Sequence, residues 1–183
     1  LTLKSNIKLE FAFGKVTPGK EAQLYGEYFP AIQPLIAEHG CQQAGTFAIK
    51  ASNYKGTAPE MGAFTGWPSE ENFNSFYSDP SFIKVKPLRD DSLDLFCDGH
   101  FFNSVDKVIE VDTDRDYAII ISKEKLTGIT PLLNMQLESD SPRQTYLGKT
   151  LLLSLWDENT EKLLATPLGE TEVFRVKFNA PAS

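Results

Sequence analysis

Two pairs of charged side chains carry the chemistry that this sequence could perform. Arg89 is followed by Asp90, and the planar fork of an arginine can bind a carboxylate or an enolate. His100 follows Asp98 on the same face of an expected strand, where a carboxylate can orient an imidazole as a general base requires. We therefore predict Arg89, Asp98 and His100 as catalytic candidates. A helix-capping ion pair and a solvated surface pair are the respective alternatives.

Two aromatic residues are candidates for the wall of a ligand pocket. We predict Tyr28, Trp67 and the carboxylate of Asp90 as ligand-binding residues, with a purely structural place in the core as the alternative for both rings.

The sequence contains one run that resembles a metal-binding loop. Asp112, Asp114 and Asp116 have the spacing that opens a calcium loop, but Tyr117 stands where that loop needs glycine. The few histidines and cysteines are not closely spaced, so we predict no metal site and no cofactor.

Composition narrows the classes of partner. The 183-residue chain has a net charge of -7 with its basic residues scattered, which argues against a nucleic-acid or anionic-membrane partner. Only Cys41 and Cys97 occur, which suggests reduced thiols and a cytoplasmic location. No signal peptide or membrane span is recognisable, although the chain starts at Leu1 rather than Met, so a removed leader stays open.

The first hundred residues alternate between strand and helix patterns. Ser69 and Asp79 stand where helix N-caps belong, and Pro30 and Pro34 should bend the helix that contains them. The expected order is strand, helix, strand, strand, helix, strand, a ferredoxin-like unit. Its strands are expected at residues 7–16, 42–50, 61–67 and 93–102, with helices at 21–39 and after the two caps.

One run carries a family resemblance. The run from Tyr77 to Phe82, followed by Pro87-Leu88-Arg89-Asp90, resembles the small DUF1330 family over roughly residues 7–102. The resemblance implies the dimeric α+β barrel superfamily, which is ferredoxin-like in topology and includes cofactor-independent monooxygenases and isomerases. These enzymes act on aromatic or polyketide-like compounds. The resemblance therefore implies a fold more firmly than an activity.

The second half echoes the first. Strand patterns occur at 107–111, 116–122, 150–156 and 172–178, with a helix at 159–165, an expected short helix within 126–137 and a polar linker at 138–144. In each half an apolar strand ends in tryptophan, Trp67 or Trp156, before an acidic cap, a short helix and a proline. This indicates a weak internal repeat. Chance recurrence of a common strand-to-helix pattern is the alternative.

These patterns together predict an α+β fold. We expect a ferredoxin-like antiparallel sheet with helices on one face at residues 1–104, and a shortened, strand-rich second copy at residues 105–183. The second copy should cover the first unit's open face, with Leu151, Leu153 and Leu155 or their alternates turned towards it, so that one chain forms a pseudo-dimer. Further homo-oligomer formation stays open.

Two functions are compatible with such a fold. The first is a cofactor-independent enzyme, a monooxygenase or an isomerase, or a binder that takes a small aromatic or polyketide-like molecule into the barrel cavity. The alternative is a non-catalytic binding or assembly module with a filled barrel. An aromatic-lined pocket at Tyr28, Trp67, Arg89 or His100 would favour the first, and an interior packed with Phe and Leu the second.

Overall fold

The computed structural model describes residues 2–3, 7–103, 107–137 and 146–180, and at 2–3, 7, 96–103 and 107–108 it describes the backbone alone. The strands in these ranges are β1 (Thr2–Leu3), β2 (Ile7–Val16), β3 (Gln42–Ser52), β4 (Met61–Trp67), β5 (Leu93–Asn103), β6 (Lys107–Val108), β7 (Tyr117–Ser122), β8 (Pro131–Gln136), β9 (Thr150–Leu155) and β10 (Glu172–Phe178). The helices are α1 (Glu21–Gln23), a π-helical segment (Leu24–Tyr28), α2 (Phe29–Glu38), α3 (Glu70–Ser78), α4 (Pro80–Ser92) and α5 (Glu158–Ala165).

Eight of these strands form one antiparallel sheet in the order β5-β2-β4-β3-β10-β7-β9-β8. Within the first half, numbering its four strands along the chain gives the spatial order 4-1-3-2, which is the ferredoxin-like arrangement. The second half repeats that order as β10-β7-β9-β8. The predicted ferredoxin-like unit and its shortened second copy are therefore confirmed. The two units join edge to edge where β10 pairs with β3.

The sheet curls into a barrel whose two end strands approach each other without backbone pairing in the described residues. Its end strands β5 and β8 lie next to each other, and one hydrophobic cluster joins side chains from both halves. Phe13 of β2 packs against Phe174 of β10 with ring centroids 4.6 Å apart. Leu151 and Leu153 are buried in this cluster, as predicted, whereas Leu155 at the end of β9 is 40% exposed. The pseudo-dimer is thus built within one chain.

Aromatic and branched side chains fill the barrel interior that the structure describes. They are Leu9, Phe11, Phe13, Phe47, Phe64, Tyr117, Ile119, Ile121, Leu133, Tyr146, Leu151, Leu153, Phe174, Val176 and Phe178. The ligand cavity expected in the barrel stays a prediction, because the side chains of β5 at 96–103 lie outside the described residues. Gly62 makes the packing feasible, since a Cβ there would lie 2.4 Å from the Phe47 ring and 2.7 Å from the Phe13 ring.

The helices of the first half cover the outer face of its sheet. They bury Leu24, Tyr28, Ile32, Phe76 and Phe82 against Trp67. Both expected caps are present, since Ser69 Oγ accepts a hydrogen bond from the Asn72 N–H at 3.1 Å and Asp79 Oδ1 accepts one from the Ser81 N–H at 2.6 Å. Every helix in the described ranges is too short or too polar to cross a membrane.

The short helix expected within residues 126–137 is wrong. Residues 131–136 form β8, which pairs only with β9 at the end of the sheet. Pro131 is tolerated because it is the first residue of an edge strand, where a missing N–H removes no ladder bond. The strand expected at 107–111 is limited to Lys107–Val108. The polar linker predicted at 138–144 lies outside the described residues.

Candidate functional site

A carboxylate lies between the first-half sheet and the helices that cover it. Glu10 is on the face of β2 opposite the barrel interior, and its two oxygens accept hydrogen bonds from side chains of neighbouring elements. The Tyr77 hydroxyl donates to Oε1 at 2.5 Å, the Trp67 indole Nε1–H to Oε2 at 3.1 Å, and the Thr65 hydroxyl to Oε2 at 3.3 Å. Such donors stabilise a half-buried carboxylate, because they replace the water that it loses beneath the helices.

A guanidinium lies in the same layer. The Arg89 side chain is only 11% exposed and lies 5.7 Å from the Phe82 ring, and its charge acts on the nearby Tyr28 hydroxyl. Its Nε and Nη2 both donate to Oδ1 of Asp90, at 3.0 and 2.7 Å. Asp90 Oδ2 accepts from Lys86 Nζ at 2.7 Å. The layer therefore holds a negative carboxylate, Glu10, and a positive guanidinium, Arg89, with the hydroxyls of Tyr28 and Tyr77 between them.

The backbone that carries Tyr28 is a π-helix. The Phe29 N–H donates to the Leu24 carbonyl, five residues back rather than four. Pro30 explains the widening, because proline has no N–H to offer the Gly26 carbonyl and its ring would crowd that carbonyl in an α-helix. Short π-helical turns are frequent at functional sites. Here the turn sets the direction of Tyr28, which is buried against the helix-to-sheet core.

Several ionisable groups of this layer have shifted pKa values. Burial raises the pKa of Tyr77 well above its usual value, and the adjacent Glu10 charge adds to the rise. Burial likewise raises the pKa of Tyr28, although Arg89 opposes it. Burial alone would lower the pKa of Arg89, but the hydrogen bond with Asp90 and the charges around it raise it overall. At neutral pH the site thus presents two neutral phenols and a guanidinium cation.

Burial raises the pKa of Cys41 to about 12, and the Glu10 charge contributes. A thiol with this pKa is a poor nucleophile at neutral pH, because the thiolate is the reactive form. Cys41 therefore belongs to the packing of the layer. Within the described ranges no group of three His, Cys, Asp or Glu side chains is arranged to hold a metal ion.

The chain is similar to known proteins in fold but not in sequence. No family model matches it, and no curated protein matches it in sequence. A mutant chlorite dismutase from Candidatus Nitrospira defluvii superposes with a TM-score of 0.55 at 10% identity, over 98% of this chain and 93% of that one. An anthrone oxidase-like protein gives 0.52 at 10% identity, over 98% and 94%. The chain has the dimeric α+β barrel fold.

The same chlorite dismutase in complex with imidazole superposes on the α+β barrel with a TM-score of 0.53 at 10% identity, covering 98% of this chain and 93% of that one. At such identity the likeness covers the fold alone. The narrower DUF1330 resemblance of the first half stays a resemblance. The barrel fold is shared over nearly the whole chain, so both halves belong to it.

The barrel brings some of the predicted site residues together. Tyr28, Trp67, Arg89 and Asp90 all lie in or at the edge of the helix-to-sheet layer of the first half, around Glu10. The side chains of Asp98 and His100 lie outside the described residues. Their backbones are on β5, where His100 is the register partner of Glu10. The roles assigned to these six residues stay predictions.

Sequence reasoning missed Glu10 and the part played by Tyr77. A signal for Glu10 was available, because Leu9, Phe11 and Phe13 share the barrel face of β2, so Glu10 must face the helices. A charged residue on a helix-covered face needs partners. Lys8 is a second charged residue on this covered face. It is 4% exposed, and its ammonium pairs with Glu70 at 3.3 Å and lies 4.1 Å from the centre of the Phe73 ring.

Two surface grooves lie in the second half of the barrel. One, of about 400 Å³, lies between the 110–117 segment and the ends of β8 and β9. The other, of about 390 Å³, lies between residues 126–129 and α5. Neither groove is lined by residues of the first-half layer. The chemically equipped cluster and the two grooves are therefore separate features.

Proposed function

We propose that this protein binds a small aromatic molecule in the helix-to-sheet layer of the first half and transfers a proton on it. The observation that carries the proposal is the Glu10 carboxylate, which lies beneath the helices with the Tyr77 hydroxyl 2.5 Å away. The buried guanidinium of Arg89 in the same layer supports it. The proposal moves the ligand from the barrel interior, where packed side chains fill the described space, to the outer face of the sheet.

The three groups match the needs of an enolisation. A carboxylate such as Glu10 can remove a proton next to a carbonyl, once the Tyr77 hydroxyl turns from Glu10 to donate to the carbonyl oxygen of the substrate. A guanidinium such as Arg89 stabilises the enolate charge that develops. This reaction is an isomerase-type proton transfer, which is one of the two activities that the resemblance implies. Trp67 and Phe82 place aromatic rings next to these groups, which suits a flat aromatic body.

The comparisons give this substrate class modest support. One structural neighbour is described as anthrone oxidase-like, and anthrone is an aromatic ketone. The likeness covers the fold alone, so the substrate class rests mainly on the Glu10, Tyr77 and Arg89 side chains. The π-helical turn that directs Tyr28 into the same layer is independent support.

The experiment that tests the proposal follows hydrogen exchange at a ketone. The protein is added to 2-tetralone in D₂O, and loss of the α-proton signals is followed by NMR. Wild-type protein should accelerate exchange, whereas Glu10→Gln should abolish most of the acceleration, because the base is lost. Glu71→Gln, an exposed acid in the first turn of α3, serves as the matched control and should behave like wild type. Equal rates for wild type and Glu10→Gln would contradict the proposal.

A second function is favoured by a different observation. The filled barrel interior is what an assembly or binding module without catalysis would have, because packed Phe and Leu side chains serve stability alone. In that case the Glu10 cluster is a structural network that ties the helices to the sheet. Absence of both 2-tetralone binding and exchange in folded wild-type protein would favour this function.

A further inference from the structure

We infer that the ligand of the first-half layer carries a carboxylate or another anionic oxygen pair, and that Asp90 competes with that group for Arg89. The inference rests on the proposed function and narrows it to a substrate class. It also assigns Asp90 a role that differs from direct ligand binding. Asp90 acts as an internal occupant of the arginine fork, which a ligand anion displaces.

The first argument is the geometry of the fork. A carboxylate that fits an arginine well receives two parallel N–H···O bonds, one on each oxygen. In this protein Nε and Nη2 of Arg89 both converge on Oδ1 of Asp90, at 3.0 and 2.7 Å. The second oxygen of Asp90 points to Lys86 instead. Adjacent residues cannot present the two-oxygen arrangement here, so an external carboxylate would satisfy the fork better.

The second argument is the difference in burial. The Arg89 side chain is 11% exposed, whereas that of Asp90 is 38% exposed. The cation therefore faces the layer and the anion lies at its edge. A cation in a partly desolvated position interacts more strongly with an anion that shares its environment than with one in contact with water. A ligand anion inside the layer would therefore interact more strongly with Arg89 than the partly exposed Asp90 does.

The third argument concerns where Asp90 goes when it is displaced. Lys86 lies one helical turn before Asp90 on α4 and pairs with it at 2.7 Å. Its ammonium is half-exposed and stays beside Asp90 after Arg89 turns to a ligand. Displacement therefore does not leave the Asp90 carboxylate without a counter-charge. Tyr28 and Phe82 lie beside the guanidinium, so an anion that reaches Arg89 has aromatic neighbours.

The neighbouring residue supplies a matched control. Asp91 is an acid on the same helix, and it pairs with Lys20 at 2.6 Å and accepts from Gln23 at 3.0 Å rather than from Arg89. Asp91→Asn therefore removes the same charge from α4 as Asp90→Asn without opening the arginine fork. A general effect of net charge on anion binding would appear in both variants.

The test compares an anionic probe with its neutral isostere. Binding of 2-naphthoate and 2-naphthamide to the full chain is measured by calorimetry for wild type, Asp90→Asn, Asp91→Asn and Arg89→Gln. Wild type should bind the naphthoate more tightly. Asp90→Asn should tighten naphthoate binding roughly tenfold, the value of about one charge-assisted hydrogen bond, and leave naphthamide unchanged. Asp91→Asn should change neither, and Arg89→Gln should remove the preference for the anion.

The outcomes separate this inference from the proposed function. If naphthamide binds as tightly as naphthoate to both wild type and Asp90→Asn, the layer is a site but the anionic substrate class is wrong. If Asp90→Asn and Asp91→Asn tighten naphthoate equally, net charge explains the effect and the competition is overturned. If neither probe binds any variant while wild type still accelerates exchange on 2-tetralone, this inference is wrong and the proposed function stands; if that exchange is absent too, both fail. Should Arg89→Gln not fold, the two aspartate variants decide the question because both retain Arg89.

Discussion

At the scale of single residues, the charged side chains beneath the helices are each bound by side chains from other elements. Glu10 and Lys8 both lie on the covered face of β2, and each is held by side chains from other elements. Sequence alone shows that Glu10 is opposite the barrel face. It does not show that Tyr77, Trp67 and Thr65 converge on Glu10, because two of them lie on another strand and one on a helix. Long-range convergence of this kind depends on the tertiary packing.

Asp79 gives the protein a predictable response to acid. Its Oδ2 lies 3.0 Å from His39 Nε2, and this hydrogen bond, with that from Ser81, lowers the pKa of Asp79. A lowered pKa means that the unfolded chain binds the proton more readily than the folded chain. The stability that Asp79 contributes is therefore present above the ordinary aspartate range, near pH 4, and is lost as pH falls through the folded-state pKa.

We expect Asp79→Asn to flatten the acid side of the stability profile. Asparagine still caps α4, so the cap survives while the charge that pairs with His39 is removed. Urea unfolding at several pH values between about 2 and 6 measures the free energy of unfolding. Asp157→Asn, at the N-cap of α5 and without an ion pair in the described part of the chain, is the control. Parallel profiles for wild type and Asp79→Asn would be inconsistent with this account.

Adding even a methyl group at Gly62 should lower the stability of the protein. A Cβ at this position would lie within 2.7 Å of three ring atoms of Phe47 and Phe13 in the barrel interior. Gly62→Ala should lower the free energy of unfolding by about 1 to 3 kcal/mol, the usual cost of overpacking. Gly26→Ala adds the same methyl where no atom lies within 4 Å, and should leave stability unchanged or higher. Equal effects of the two changes in urea unfolding would refute the packing argument.

At the scale of elements, the strands and helices of the first half follow from the sequence pattern, and the special features do not. Alternation and caps predict β2, β4, α3 and α4 closely. The prolines at 30 and 34 predict a bend, whereas the structure widens one turn into a π-helix. The choice between a kink and a π-turn depends on what packs against the helix. For β8, the apolar pattern is short enough to fit either a helix or a strand, and pairing with β9 decides it.

Pro30→Ala tests what the π-helical turn does. The alanine N–H can donate to the Gly26 carbonyl, so the turn should relax towards an α-helix and rotate Tyr28 away from Arg89. We expect unchanged or higher stability together with weaker binding of 2-naphthoate. Pro34→Ala restores a donor further along α2 and should leave binding as in wild type. Unaltered 2-naphthoate binding in Pro30→Ala would show that the π-helical turn is not needed for the ligand site.

At the scale of the whole molecule, one chain builds both halves of the barrel. The repeat of Trp67 and Trp156 at strand ends indicates the duplication, and the repeated strand order confirms it. The edge pairing of β3 with β10 is harder to predict from the sequence, because it depends on the register between strands that are far apart in the chain. The boundary predicted at 104/105 falls on residues outside the described ranges and stays a prediction. So do the cytoplasmic location and the absence of nucleic-acid and membrane partners.

A shared barrel core should unfold as one unit. Leu153 of β9 is buried in the same cluster as the phenylalanines of β2, so Leu153→Ala should cost about 2 to 5 kcal/mol and destabilise both halves together. Leu152→Ala removes a half-buried side chain on the outer face and should cost less. Urea unfolding followed by tryptophan fluorescence is informative, because Trp67 and Trp156 report on different halves. Two separate transitions in Leu153→Ala would contradict a single barrel.

The central claim, that the ligand binds in the first-half layer, is tested most directly by the two tryptophan indole N–H resonances. The chain has only Trp67 and Trp156, and the Trp67 indole donates to Glu10 whereas that of Trp156 donates to Glu161 in the second half. ¹⁵N-labelled protein is titrated with 2-naphthoate, and Trp156→Phe assigns the two signals. The account predicts that the Trp67 signal shifts with saturation while the Trp156 signal stays in place. A shift confined to Trp156 would place the ligand in the second half and contradict the account.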